Sequence, residues 1–254
     1  MLDFLAPGRS QGELFCLMIA AALAGLARGF SGFGAALIFM PLASAAIGPR
    51  MAAPLLLAID SVMALGLIPN AWRRADKRAI GVMAAGAVIG IPVGTLALAL
   101  ADPVIVRWSI ALVVVLLLLL LVSGWRYRGQ PTALLTMAVG GLSGLFGGAA
   151  QIGGPPVMAY WLGGSLPIDR VRANIVIYFA CSTVITIVSY LSSGLITLPV
   201  LSLALMGAPF YGAGVYAGSY LFGRTNETVF RWLSYGLIAI AALISLPILD
   251  PILR

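Results

Sequence analysis

GLARGFSGFGAALIFMPL, residues 25–42, places one arginine, Arg28, inside an apolar run and follows it with Gly29, Gly32 and Gly34. A guanidinium keeps its charge wherever it is placed. At the centre of a membrane it costs at least ~2.5–3.5 kcal/mol on insertion scales. A second stretch, GLFGGAAQIGGPPVM at 144–158, repeats the design without the cation. In both, glycines break a helical pattern and a proline-containing apolar segment follows.

The surroundings of these stretches settle the class of protein. The chain has 254 residues, 61% hydrophobic and 9% charged, with a mean hydropathy of +1.08. Soluble domains carry about a quarter charged residues, so this chain cannot cover a water-facing surface. Residues 79–101 and 108–125 are free of charge at 23 and 18 residues, enough to cross the hydrocarbon core as helices. Strand-like alternation is absent, which argues against a barrel. The N-terminal MLDFLAPGRSQGELF has no basic region leading into an apolar core and no small-residue cleavage site, so no removable signal peptide is expected.

Several function classes are excluded. The net charge of +7 sits in short loops between apolar segments, a mark of membrane topology and not of nucleic-acid binding. There is no histidine, which argues against haem, most catalytic zinc sites and histidine-based triads. Ser143, in GLSGLFGG, therefore lacks an activating base, and an enzyme is not expected. Cys16 and Cys181 lie in apolar segments and read as unpaired. No G-x-x-x-x-G-K-[ST] motif occurs, so ATP hydrolysis is not expected. Neither cofactor nor metal is expected.

Charge, Pro and Gly divide the chain into apolar segments at 12–28, 35–48, 52–71, 79–101, 104–124, 132–146, 155–164, 174–192, 199–221 and 230–249. The two halves, 12–124 and 132–249, resemble each other. GIPVGTLALALADPVIVRW at 90–108 matches GVYAGSYLFGRTNETVFRW at 214–232, with Gly90, Gly94, Arg107 and Trp108 on Gly214, Gly218, Arg231 and Trp232. Aligning Pro41 with Pro156 sets Arg28 against Ser143. If each break is a hairpin, the loops 72–78, 125–131, 165–173 and 222–231 share one side with ten basic residues, against four on the other. If each is a single crossing, the split is eight to six. The positive-inside rule favours the first arrangement. The expected fold is therefore an all-α polytopic membrane protein, one membrane domain over 1–254. It contains two homologous inverted repeats, each with a Gly-rich broken-helix hairpin and three longer transmembrane helices.

Interrupted segments at matching positions of two halves point to a transporter binding site. Arg28 is the candidate anion ligand, held against a following helix N-terminus; the alternatives are snorkelling or a structural pair with Asp60. Ser31, Gly32, Phe33 and Gly34 form the first break, and Gln151, Gly153 and Gly154 the second. The glycines allow close backbone approach to a ligand; the alternative is tight helix packing. Asp60, the only acid well inside an apolar segment, is either a proton-coupling carboxylate or the partner of Arg28. Asn174, Tyr178 and Ser182 fall on one helix face and either line a pathway or bond between helices. The tryptophans at 72, 108, 125, 161 and 232 mostly fall near segment ends and read as interfacial anchors.

GFSGFGAALIFMPL, GLFGGAAQIGGPPVMAYWL and the following RVRANIVIYFACS resemble the TauE/SafE family of membrane permeases, the sulfite exporters, over nearly the whole chain. The resemblance implies transport of a small sulfur-containing anion, sulfite or an organosulfonate, across the cytoplasmic membrane. With the residue reading, it gives a secondary transporter with its site near mid-membrane between the two breaks and alternating access. A passive anion channel, or a transporter of another small anion, is the alternative. The expected partners are a small anionic substrate and the lipid bilayer, with no nucleic acid; a homodimer is left open.

Overall fold

A computed structural model describes residues 10–31, 34–127, 129, 132–163, 166–221 and 227–249. Among these, every regular element is helical. The α-helices are α1 (Gln11–Ser31), α2 (Ala35–Ile47), α3 (Pro49–Ala64), α4 (Ile68–Arg74), α5 (Lys77–Leu100), α6 (Pro103–Ser123), α7 (Ala133–Ala150), α8 (Gly154–Trp161), α9 (Ile168–Ser192), α10 (Leu198–Leu221) and α11 (Glu227–Ile244). Six of them, α1, α5, α6, α7, α9 and α10, are long and apolar enough to cross a membrane, and α3 with α4 would make a seventh. Large apolar side chains such as Ile89, Leu100, Leu112, Leu134 and Leu198 face outward, as a hydrocarbon solvent requires. The chain is a multi-pass membrane protein.

Two helix boundaries differ from the sequence reading for physical reasons. α1 does not stop at Arg28 but runs to Ser31, with Arg28 in its last turn, where a cation is favoured by the helix dipole. α7 runs past residue 146, through Gly147 and Gly148 to Ala150, where Gly148 is packed on the backbone of Ile91. A third difference is a break. Segment 52–71 is not one helix: a 3₁₀ turn at Leu65–Leu67 separates α3 from α4.

The chain forms two compact units that do not coincide with the sequence halves 12–124 and 132–249. Unit 1 comprises Met1–Ile59, Ala101–Val122 and Leu195–Arg254; unit 2 comprises Asp60–Leu100 and Ser123–Gly194. Each unit is centred on one helix pair, and glycine makes the pair possible. In unit 2, α5 and α7 interlock. A methyl group on Gly86, Gly90 or Gly94 would overlap the backbone of Met137, Gly141 or Leu145, and one on Gly140, Gly144 or Gly148 that of Met83, Ala87 or Ile91. In unit 1, α1 and α10 do the same: Gly25 and Gly29 lie on the backbone of Tyr211 and Val215, Gly214 and Gly218 on that of Ala22 and Leu26. Such small-residue faces let helix backbones touch where lipid offers no hydrophobic drive to associate.

The contacts give a register between the units. Gly25 and Gly144 meet Tyr211 and Ala87; Gly29 and Gly148 meet Val215 and Ile91. The first pairs are 119 residues apart and the second 124. The 119 offset also superposes helix boundaries: α1 and α7 end at Ser31 and Ala150, α2 and α8 begin at Ala35 and Gly154, α3 and α9 begin at Pro49 and Ile168. Arg28 therefore corresponds to Gly147 and not to Ser143. The proline alignment misled because Pro41 lies inside α2, whereas Pro155 and Pro156 occupy the first turn of α8.

In unit 1, arginines close helix ends. Arg107, 6% exposed on α6, donates from Nη2 to the carbonyl oxygen of Ser245 at 3.0 Å, just past α11. Arg50 donates likewise to Ala101 at 3.0 Å, just past α5. Both satisfy helix-terminal carbonyls and meet the negative end of the dipole. The Tyr235 hydroxyl of α11 donates to Leu121 of α6 at 3.2 Å.

Candidate functional site

The second break lies wholly in unit 2. α7 ends with Gln151 in the left-handed region at φ 58°, the only non-glycine there among the described residues. The Gln151 N–H bonds the carbonyl of Gly147 at 2.8 Å and the Ile152 N–H that of Phe146 at 3.2 Å, so two carbonyls of the α7 terminus are satisfied. A side chain in this backbone region costs about 1–2 kcal/mol, and here it has a use. Gln151 Nε2 donates to the Tyr190 hydroxyl at 3.2 Å, which donates to the carbonyl of Gly148 at 2.8 Å. Tyr190 is fully buried.

The chain then turns back. Ser143 Oγ donates to the carbonyl of Gly153 at 2.7 Å, and a methyl group on Gly153 would overlap Ser143. Further along, Thr136 of α7 and Tyr160 of α8 are hydroxyl partners. The pairs 143 with 153 and 136 with 160 run antiparallel, so α7 and α8 form a hairpin. Gly153 thus lies level with the middle of α7. Pro155 and Pro156 stand in the first turn of α8. Proline has no N–H, which leaves the Gly153 and Gly154 amides as the donors at this helix end.

The first break lies in unit 1. Arg28, half-buried, sits in the last turn of α1. Gly34, at φ 89°, precedes α2, and the Leu37 N–H bonds its carbonyl at 3.1 Å. Gly32 and Phe33 lie outside the described residues, as does the Ser31 side chain. Arg28 and Asp60 both make interactions; Asp60 is half-buried near the end of α3.

Two expected site residues bond elsewhere in unit 2, Asn174 to a loop and Tyr178 to α7 beside Ser143. Asn174 is fully buried, and its Oδ1 accepts the Asp76 N–H at 2.7 Å, in the loop between α4 and α5. Its Nδ2 has no hydrogen-bond partner among the described residues. The Tyr178 hydroxyl donates to the Gly140 carbonyl at 3.3 Å, a bond between helices. Trp161 is 4% exposed, packed edge-on against Tyr178 at 6.0 Å; it is a core residue and not an interfacial anchor. The sequence reading missed Tyr190 and the role of Ser143. A signal existed: the polar spacing 174, 178, 182 continues at Thr186 and Tyr190 on the same face of α9.

No curated protein and no solved structure matches this chain. A family model described as Sulfite exporter TauE/SafE matches residues 17–244. With its membrane-length helices and glycine breaks, the chain belongs to the TauE/SafE sulfite exporter family of membrane permeases.

Proposed function

We propose that the chain is a secondary transporter that moves a small sulfur-containing anion, of the sulfite or organosulfonate type, across the cytoplasmic membrane by alternating access. The observation that carries this reading is the α7–α8 hairpin. It brings a break with free amide donors to the middle of a membrane-length helix, a place where irregular backbone needs a reason. Gly153, Gly154 and the Gln151 amide offer neutral donors to an oxyanion, and Arg28 offers the charge at the first break. Gly34, with Ser31, Gly32 and Phe33, completes that first element. Asp60 is assigned to proton coupling. Asn174 and Tyr178 are assigned to positioning, since their polar atoms serve loop and helix backbone.

The inverted-repeat arrangement belongs to the same proposal. Support comes from the hairpin itself, whose ends return to one level, and from the Asn174–Asp76 bond. That bond ties the N-terminal part of α9 to the loop 72–78, and the segments 72–78 and 165–173 share a side only if the break is a hairpin.

The test is uptake of sulfite, sulfate and a short organosulfonate into liposomes, for the wild type, Arg28→Lys and Arg28→Ala. Saturable uptake by the wild type is expected, with a partial loss in Arg28→Lys. Arg28→Ala should lose about 100-fold, the scale of a charge-assisted contact worth ~2.7 kcal/mol. Equal uptake by all three proteins overturns the assignment of Arg28, and conductance without saturation overturns alternating access.

A further inference from the structure

We propose that one end of unit 2 is a docking surface for anionic phospholipid headgroups, independent of the transport site. An apolar cluster that includes Ala71, Ile80, Trp161, Val171 and Ala173, with Ala75 and Tyr127 packed on it, holds this end together. The Asn174–Asp76 bond ties α9 to the loop between α4 and α5. The Tyr127 N–H bonds the Ala159 carbonyl at 3.0 Å, and the Tyr127 and Tyr160 rings stack at 5.6 Å. Three separate loops thus meet at one level.

The helix ends that flank those loops carry Arg73 and Arg74 on α4, Lys77 and Arg78 on α5 and Arg170 and Arg172 on α9, all exposed, and the loop after α6 adds exposed Arg126. Their acids are committed to helix ends. Asp76 Oδ1 accepts the Arg78 and Ala79 N–H groups, each at 3.1 Å, and Asp169 stands in the first turn of α9. Among the described residues, no ion pair joins these cations to an acid. Unit 1 differs: Arg50 and Arg107 there are bound to helix-terminal carbonyls.

Depth identifies the occupant. Trp72 and Trp125, 51% and 58% exposed, stand beside the cations, and Lys77 Nζ lies 4.9 Å from the centre of the Trp72 ring. Exposed tryptophans mark the level of the headgroups. Leu134, in the first turn of α7, is 80% exposed and begins the apolar surface. Cations at the boundary between indole and hydrocarbon face lipid phosphates, which guanidinium groups bind in bidentate fashion.

The experiment uses the full chain, purified with lipid and examined by native mass spectrometry and thermal melting in phosphatidylcholine with and without phosphatidylglycerol. The variants are Arg73→Gln/Arg74→Gln/Lys77→Gln/Arg78→Gln and, separately, Arg170→Gln/Arg172→Gln. The wild type should retain phosphatidylglycerol about five-fold over phosphatidylcholine, melt higher with it, and lose much of this preference in 0.5 M salt, where charges are screened beyond roughly 3–5 Å. Both variants should lose the preference while melting in phosphatidylcholine as the wild type does. If the fourfold variant does not insert, the α9 pair and the salt titration decide. A preference that persists in a folded variant, or is absent from the wild type, overturns the proposal. So does inorganic phosphate raising the melting temperature as much as phosphatidylglycerol.

Discussion

At the second break, Ser143 donates to Gly153 and Gln151 is held by Tyr190. At the corresponding positions of the first break, 119 residues earlier, the chain has Ala24 and Gly32. Where the first break has Arg28, the second has Gly147. One copy of the device is pinned by neutral side-chain hydrogen bonds and carries no charge. The other carries the charge and lacks the residues that do the pinning. The packing beneath both is the same, since Gly25 and Gly144, and Gly29 and Gly148, meet corresponding backbone positions. A shared scaffold has thus been given two different local chemistries, one a rigid neutral frame and the other a cation.

The strongest way to break this comparison is at the shared scaffold. Gly144→Val and Gly25→Val should each abolish folded yield, measured by size-exclusion chromatography, because the new side chain has only backbone to displace. Overpacking costs of 1–3 kcal/mol are typical when side chains can move, and here the loss should exceed about 3 kcal/mol. If one position tolerates valine and the other does not, the two helix pairs are not equivalent.

A smaller effect should separate the pinned break from the charged one. Ser143→Ala leaves the buried Gly153 carbonyl without its donor and should cost about 1–3 kcal/mol of stability. Gln151→Gly also loses a hydrogen bond but relieves the left-handed backbone, so its melting temperature should change little. Its uptake should still fall, by roughly ten-fold, about 1.4 kcal/mol. Unchanged uptake in Gln151→Gly would reduce Gln151 to a helix cap. The smallest effect is expected at Asn174→Ala, which strips the Asp76 N–H of its acceptor but also removes an unpaired buried amide. The net loss should be about 1 kcal/mol, read from thermal melting.

The class of fold was legible because hydropathy and the glycine breaks are one-dimensional signals. The matching glycines also pointed to equivalent helices, although the packing partner of each lies in the other half of the chain. What sequence could not show was the register of the breaks. Prolines draw the eye in an alignment, yet Pro41 tolerates a helix interior and Pro155 and Pro156 open a helix. The 3₁₀ turn at Leu65–Leu67 had a signal in Gly66 and Pro69 that the hydropathy of segment 52–71 overrode. Asn174 read as a pathway residue because a polar stripe has the same spacing whether it faces a substrate or a loop. Tyr190 was missed because its value depends on Gln151, 39 residues away.

The interlocked pair α1 and α10 has a consequence for how the chain is made. Gly25 and Gly29 leave the ribosome early, but the helix they fit carries Gly214 and Gly218. At about 5–20 residues per second, α1 spends roughly 10–40 s in the bilayer before its partner is synthesised. Unit 2 has no such delay at its close, since its last residue is Gly194. Assembly therefore finishes in the unit that was begun first, and the small-residue face of α1 is the surface most in need of shelter during synthesis.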